Sequence, residues 1–392
     1  MMKKILYMGV FRDQTGYGQS ALDNILAIEK AGYDIVCRPV RMSNPKTKDK
    51  SPIEHLEKGN LKNIDVIIEH NLPMTFEKKE NVKTVGFFDF ETNTICKSWT
   101  DSCNKLDEIW VPNIQQQHAC LKSGIKVPVK ILPHSVNLEK YKNKPKPLNT
   151  PLLKDKCVFL FMGENTRRKN IAGLIRGYYA AFTEKENVVL VIKTSSPEHN
   201  SQQTMQLMQK FIFDIKKATH IHADEKNYPP ILVLTEYLSE EQLAQLHASS
   251  NIFVSFSHGE GGNLEAMDSL GWGNPVILSN WGFHPELCYD QADKNWEPDK
   301  EMFRHCGEIG VGWLISGQKT LCFGQMNGNG EIYTGLEHWF DVCIPDCVDI
   351  LKIAYKEYID GSLKLRGKAA EQRIKSFSYE NIGKTLKELI GQ

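Results

Sequence analysis

Residues 252–279 read IFVSFSHGEGGNLEAMDSLGWGNPVILS. Ile252–Ser257 is a short run with apolar character, which predicts a buried strand. A turn of small residues follows, Ser257-His258-Gly259-Glu260-Gly261-Gly262-Asn263. The spacing then predicts a helix over 264–270 and a second strand over 275–279. Strand, tight turn, helix, strand is one unit of a parallel α/β sheet. Free backbone N–H groups at such a helix start, together with the helix dipole, favour an anion such as a diphosphate. Two carboxylates at the turn, Glu260 and Glu265, suit the hydroxyl groups of a sugar. Glu265 also reads simply as a first-turn acid complementing the dipole.

The same alternation runs outward. Strands are expected at 157–162, 188–193 and 231–234, with helices at 171–182, 202–217 and 239–249. The last of these opens with a capping box, Ser239 to Gln242. In the first part of the chain, strands at 4–11, 33–40, 64–68, 83–88, 108–112 and 129–132 are expected. Helices at 21–28, 99–106 and 114–123 fall among them. Residues 141–152, YKNKPKPLNTPL, carry Pro145, Pro147 and Pro151 and read as a linker. Residues 290–335 read as irregular, and helices at 348–360, 363–376 and 379–390 close the chain. The expectation is an α/β protein of two doubly wound parallel-sheet domains, 1–145 and 146–375, followed by a final helical segment, 376–392. Ligands of such a pair bind where the carboxyl ends of the sheets face a cleft.

The 392 residues are 41 % hydrophobic and 24 % charged, which argues against disorder as the main state. No run of 18 apolar residues predicts a transmembrane helix. The opening MMKKILYMGVF is followed by Arg12, Asp13 and Gln14, and reads as a first strand rather than a signal peptide. A cytoplasmic location with reduced thiols is expected, and peripheral attachment to a membrane stays open. The ten cysteines match no zinc spacing; the tightest pairs are Cys343/Cys347 and Cys96/Cys103. Lys+Arg and Asp+Glu balance at 48 each, but residues 1–150 carry a net charge of +6 and the remainder −6. A basic first part fits an anionic partner, or plain solvated lysine.

Two further loops carry chemistry. Gly16-Tyr17-Gly18-Gln19-Ser20-Ala21 is a GxGxxA between the first strand and first helix. A nicotinamide site would want an acid at the end of the second strand, where Cys37-Arg38-Pro39 stands instead. A plain glycine turn and a loop facing a ligand both remain open. Gly163-Glu164-Asn165-Thr166-Arg167-Arg168-Lys169-Asn170 sets three cations on a strand-to-helix loop, where they neutralise phosphate charge or are simply solvated.

Together these segments resemble a GT-B glycosyltransferase, and most resemble the retaining family 4 with its group 1 domain. The resemblance runs end to end. It rests on GYGQSALDNILAIEKAGYDI, on DEIWVPNIQQQHACLKSGIKVPVKILPHSVNLEKY with its Pro133-His134-Ser135-Val136-Asn137, on MGENTRRKNIAGLIRGYYAAF, on SHGEGGNLEAMDSLGWGNPVI and on FSYENIGKTLKELI. It implies two Rossmann-like domains facing a cleft, with the final helix crossing back to the first. It implies transfer of a hexose or pentose from a nucleoside diphosphate sugar, UDP- or GDP-linked, to an acceptor hydroxyl with retention. Neither cofactor nor metal is implied. The donor contacts carried over are Arg168, Lys169, His258, Gly261, Gly262, Asn263 and Glu265, with Gly16 and Gly18 from the first loop. The family's Arg after the loop glycine is here Glu164, and Arg167 is the substitute. The family's paired glutamates are separated by seven residues; Glu260 and Glu265 have four between them. Glu260 is placed at the donor sugar and Glu265 at the ribose. Asp89 and Glu91, in Phe87-Phe88-Asp89-Phe90-Glu91-Thr92, are the acceptor-side candidates. Asp89 reads alternatively as a cap acid and the pair as a metal site; His70, at a strand end after Glu69, reads as a cleft-lining residue or as a structural histidine. The acceptor is a glycan, lipid, protein or small molecule. A modified base of nucleic acid, a non-catalytic GT-B protein and a sugar-nucleotide epimerase are the alternatives.

Overall fold

The computed structural model describes residues 3–41, 51–196, 198–289, 306–322 and 332–391. It divides into two compact units. Unit 1 comprises 1–138, 321–338 and 375–392, and unit 2 comprises 139–320 and 339–374.

Unit 1 is built on six parallel strands: β1 (Lys4–Gly9), β2 (Asp34–Pro39), β3 (Val66–His70), β4 (Lys83–Phe87), β5 (Glu108–Val111) and β6 (Val129–Ile131). Their order is β2-β1-β3-β4-β5-β6. Parallel strands are covered on both faces, hence their near-continuous apolar runs. The register places His70 of β3 beside Gly9 of β1 and Phe87 of β4, at the carboxyl edge. Helix Gly16–Lys30 buries Ile25 and Ile28 against this sheet. Helix Tyr379–Ile390 belongs to the same unit, and its Ile382, Leu386 and Ile390, four residues apart, form one buried face. Tyr379 Oη donates to Asp23 Oδ1 at 2.5 Å.

Unit 2 holds β7 (Cys157–Met162), β8 (Val188–Lys193), β9 (Ile231–Leu234), β10 (Ile252–Ser255), β11 (Val276–Ser279), β12 (Cys306–Ile309) and β13 (Gly312–Ile315). Their order is β12-β13-β11-β10-β7-β8-β9, with β12 antiparallel to β13 and the other neighbours parallel. Helix Ile171–Ala181 opposes Ile171, Leu174, Ile175 and Tyr178 to Phe159, Phe161 and Leu190 in the core.

Three differences from the sequence reading have physical causes. Residues 306–321 are ordered strands rather than irregular. Gly312 permits the close approach of β13 to β11, since a Cβ there would stand 1.9 Å from the Val276 carbonyl oxygen. Gly317–Leu321 pairs with His338–Val342 as a separate two-stranded ribbon. The rest of the 290–335 segment, 290–305 and 323–331, lies outside the described residues. Thirdly, the linker is anchored at its start: Tyr141 donates to Asp268 Oδ1 at 2.5 Å and meets the Trp272 ring edge-on at 5.2 Å.

Candidate functional site

In unit 2 the carboxyl ends of β7 and β10 present two turns to each other. After β7, Arg167–Lys169 makes one turn of 3₁₀-helix. Asn170 then takes left-handed backbone (φ 49°) and caps helix Ile171–Ala181 by accepting from Gly173 N at 3.0 Å. After β10, the glycine-rich turn ends at Asn263, again left-handed (φ 46°), which caps helix Leu264–Gly271. Asparagine tolerates this conformation better than most residues, because its short polar side chain bonds locally.

The turns are joined by charge. Glu260 is buried; it accepts from Lys169 Nζ at 2.8 Å and from an Arg168 guanidinium nitrogen at 2.9 Å. Arg168 also donates to the Gly259 carbonyl at 2.7 Å, and its own carbonyl accepts from His258 N at 2.8 Å. Burial alone would raise the Glu260 carboxyl. The Lys169 and Arg168 charges outweigh it and hold the group below the ordinary carboxylate range. Glu265 has the opposite balance: burial pushes its carboxyl up, with Lys169 opposing. Gly261, Gly262 and Asn263 complete the buried turn. Gly282 (φ 66°) lets a second loop close on it, with Phe283 N donating to the Glu260 carbonyl at 3.2 Å. His258 donates from Nδ1 to the Phe340 carbonyl at 2.6 Å and stacks on Trp339 at 4.7 Å.

Behind the turn lies a relay that sequence reasoning missed. Asn263 Nδ2 donates to His284 Nε2 at 2.7 Å, which leaves the proton on Nδ1 for the Ser279 carbonyl at 2.9 Å. Burial lowers His284 to about 4, so the imidazole is neutral. The residues around it, Trp281-Gly282-Phe283-His284-Pro285, are a turn signal without an evident ligand chemistry.

Unit 1 brings together a different set. Asp89 follows β4, His70 ends β3, His134 follows β6, and Tyr7 lies in β1. His134 Nε2 is 2.9 Å from Asp89 Oδ1, and His70 Nε2 is 4.0 Å from Oδ2. Burial would raise the Asp89 carboxyl, but the two imidazoles hold it well below the usual range. Glu91 is not part of this group: it accepts from Tyr333 Oη at 3.0 Å, and the Tyr333 ring stacks on Phe90 at 5.4 Å. His134 and Tyr7 carried no assigned role in the sequence; the one available signal was the position of His134 just past a strand end.

The first-loop glycines stand at the start of helix Gly16–Lys30, in unit 1. Gly18 is demanded by packing: a Cβ there would stand 2.3 Å from the Asp13 carbonyl oxygen. Thr15 Oγ1 accepts from Gly18 N at 3.0 Å. Gly16 faces open space. Glu164 and Arg167 are both exposed. Among the described residues, no group of three or more His, Cys, Asp or Glu is arranged to hold a metal, no helix is long and apolar enough to cross a membrane, and nine cysteines are free thiols.

No protein-family model and no curated protein matches the sequence. Solved structures do match in shape. Sucrose-phosphate synthase from Thermosynechococcus elongatus is 14 % identical, with a TM-score of 0.62 over 99 % of this chain and 98 % of that one. Anabaena HepE, in complex with UDP and glucose, is 11 % identical, with a TM-score of 0.60 over 99 % of both chains. S. aureus TarM, in complex with UDP and alpha-GlcNAc-glycerol among others, is 16 % identical, with a TM-score of 0.55 over 83 % of this chain and 55 % of that one. At these identities the likeness establishes the fold: two Rossmann-like α/β units of the GT-B type.

Proposed function

We propose that the chain is a glycosyltransferase that moves a sugar from a nucleoside diphosphate sugar to an acceptor hydroxyl, with retention at the transferred carbon. The observation that carries this reading is the meeting of Arg168, Lys169 and Glu260 at the glycine-rich start of helix Leu264–Gly271. Two cations and one carboxylate leave one positive charge. The helix start adds its unsatisfied amides and dipole. That combination suits a diphosphate leaving group, and Glu265 suits hydroxyl groups. The bound UDP of the Anabaena and S. aureus proteins supports the same class of donor.

In this reading unit 2 takes the donor and unit 1 takes the acceptor, with Asp89 as its charged group. The acceptor oxygen bonds to the sugar carbon on the face from which the diphosphate departs. The carbon–oxygen bond to the phosphate breaks, and a phosphate oxygen takes the acceptor proton. The protein's task is to stabilise an oxocarbenium-like carbon and the departing negative charge. No protein nucleophile is required.

The test is thermal shift against UDP-, GDP- and ADP-sugars, the free nucleoside diphosphates and NAD. Ligand at a hundredfold excess over Kd stabilises by about 2.7 kcal/mol. A shift with one diphosphate family, absent in Lys169→Met, supports the reading and names the base. A flat response to every nucleotide, beside a normal melting transition, overturns it.

A further inference from the structure

The unit 1 cluster has more polar machinery than an acceptor carboxylate needs. His70 and His134 are both buried, with their rings 6.2 Å apart and nearly parallel at 19°. Phe87 stacks on His70 at 4.3 Å and Tyr17 meets it edge-on at 4.9 Å. The Tyr7 hydroxyl lies 2.5 Å from His70 Nδ1. Two buried nitrogens, His70 Nε2 and His134 Nδ1, have no hydrogen-bond partner among the described residues. Such orphaned atoms are uncommon in folded proteins and call for an explanation.

The proton positions follow from the charges. A carboxylate is faced by an N–H and not by a lone pair, so His134 carries its proton on Nε2. The same argument puts the His70 proton on Nε2, and its Nδ1 then accepts from the Tyr7 hydroxyl. Asp89 thus has one imidazole N–H on Oδ1 at 2.9 Å and a second directed at Oδ2 from 4.0 Å, beyond hydrogen-bond length. The remaining titratable groups around the carboxylate are Tyr7 from β1, Tyr17 from helix Gly16–Lys30, and Glu91 two residues on.

We propose that Tyr7, His70 and His134 are positioning residues that fix the charge and the aim of Asp89, with His134 holding Oδ1 and the Tyr7-anchored His70 leaving Oδ2 for a substrate hydroxyl. This rests on the sugar-transfer reading for the identity of the substrate, but the clamp on Asp89 is testable without turnover. Asp89 is 14 % exposed in its side chain, whereas both imidazoles are buried. Asp89 is therefore the group that reaches a substrate, and the imidazoles act through it.

The experiment compares His134→Leu with His134→Gln, whose amide can place an N–H where Nε2 stood. With a donor identified, His134→Leu is expected to lower kcat/KM about tenfold, mainly through kcat, and to move the acid limb of the pH profile about one unit toward neutrality. His134→Gln is expected to recover within about threefold of wild type and to restore the limb. The second readout is melting temperature against pH, from pH 7 down to 3. A depressed carboxylate contributes stability above its unfolded value and loses it as pH falls through the folded one. The acid branch is therefore shallower in His134→Leu, and this difference vanishes in an Asp89→Asn background. An acid branch in which the Leu variant differs from wild type equally in both backgrounds overturns the clamp. If no sugar is transferred but the acid branch behaves as stated, the transfer reading falls and the clamp stands.

Discussion

Replacing Glu260 by Gln removes one charge from a buried triad and changes its shape little. The side chain of Glu260 is 5 % exposed, Lys169 11 % and Arg168 24 %, so solvent screens the lysine pair poorly. Removing one partner of a buried ion pair costs about 3–5 kcal/mol. Arg168 is a quarter exposed and keeps the Gly259 carbonyl, which argues for the lower end, about 3 kcal/mol. At roughly 2–4 °C per kcal/mol for a unit of this size, the melting transition falls by about 6–12 °C. Nucleotide binding moves the other way, because Glu260 competes with a diphosphate for the same two cations. Loss of its charge is worth on the order of 1 kcal/mol to an anion nearby, roughly fivefold in Kd. The pH dependence adds a sign. Burial alone would raise the Glu260 carboxyl, but Lys169 and Arg168 hold it low. Its stabilisation is thus present above about pH 4.3 and is lost in acid, so the gap between variant and wild type narrows there. Differential scanning fluorimetry and titration calorimetry with UDP and GDP read both effects. A variant that melts within about 2 °C of wild type at pH 7, or that binds nucleotide more weakly in parallel with its stability, refutes the reasoning.

Three further outcomes are expected. Burial pushes His247 and His284 down to about 4, so each stabilises unit 2 above pH 6.5 and loses that contribution as pH falls toward 4. Urea unfolding at pH 7 and 4.5 should differ by roughly 2–3 kcal/mol for each histidine, and His284→Asn should remove its share. Gly282→Ala would place a Cβ 2.6 Å from the Glu260 carbonyl at φ 66°; a loss of about 1–3 kcal/mol in melting experiments, with weaker nucleotide binding, is expected. Tyr379→Phe removes the hydroxyl from buried Asp23, which still accepts from Gln19 Nε2 at 3.1 Å; urea unfolding should report a loss of about 1–2 kcal/mol.

Much of the fold is legible because parallel strands buried on both faces declare themselves. Cys157–Met162, Val188–Lys193 and Ile231–Leu234 have the bounds their apolar runs predict. The ends of β1 and β10 fall short of their runs, because Val10, Phe11 and Phe256 are buried in turns rather than in the ladder. Strands β12 and β13 are four residues each, the first containing Gly307 and the second opening on Gly312, too short for a period to show. Lys169 and Glu260 stand out in sequence because charge beside glycine at a strand end is unusual. Their mutual pairing does not, since 91 positions separate them. Tyr7 is hidden for a different reason: in an apolar run, a tyrosine looks like core.

The return of residues 375–392 to unit 1 has a consequence for biosynthesis. Ile382, Leu386 and Ile390 complete an apolar core whose other members, Ile5, Ile25 and Ile68 among them, leave the ribosome far earlier. At about 5–20 residues per second, the stretch between residue 138 and residue 375 takes roughly 10–50 s to make. For that interval the first sheet waits with one face of helix Gly16–Lys30 bare, while unit 2, nearly continuous in sequence, can close without delay. Ribosome-bound chains arrested before residue 375 should therefore be the species that chaperones hold.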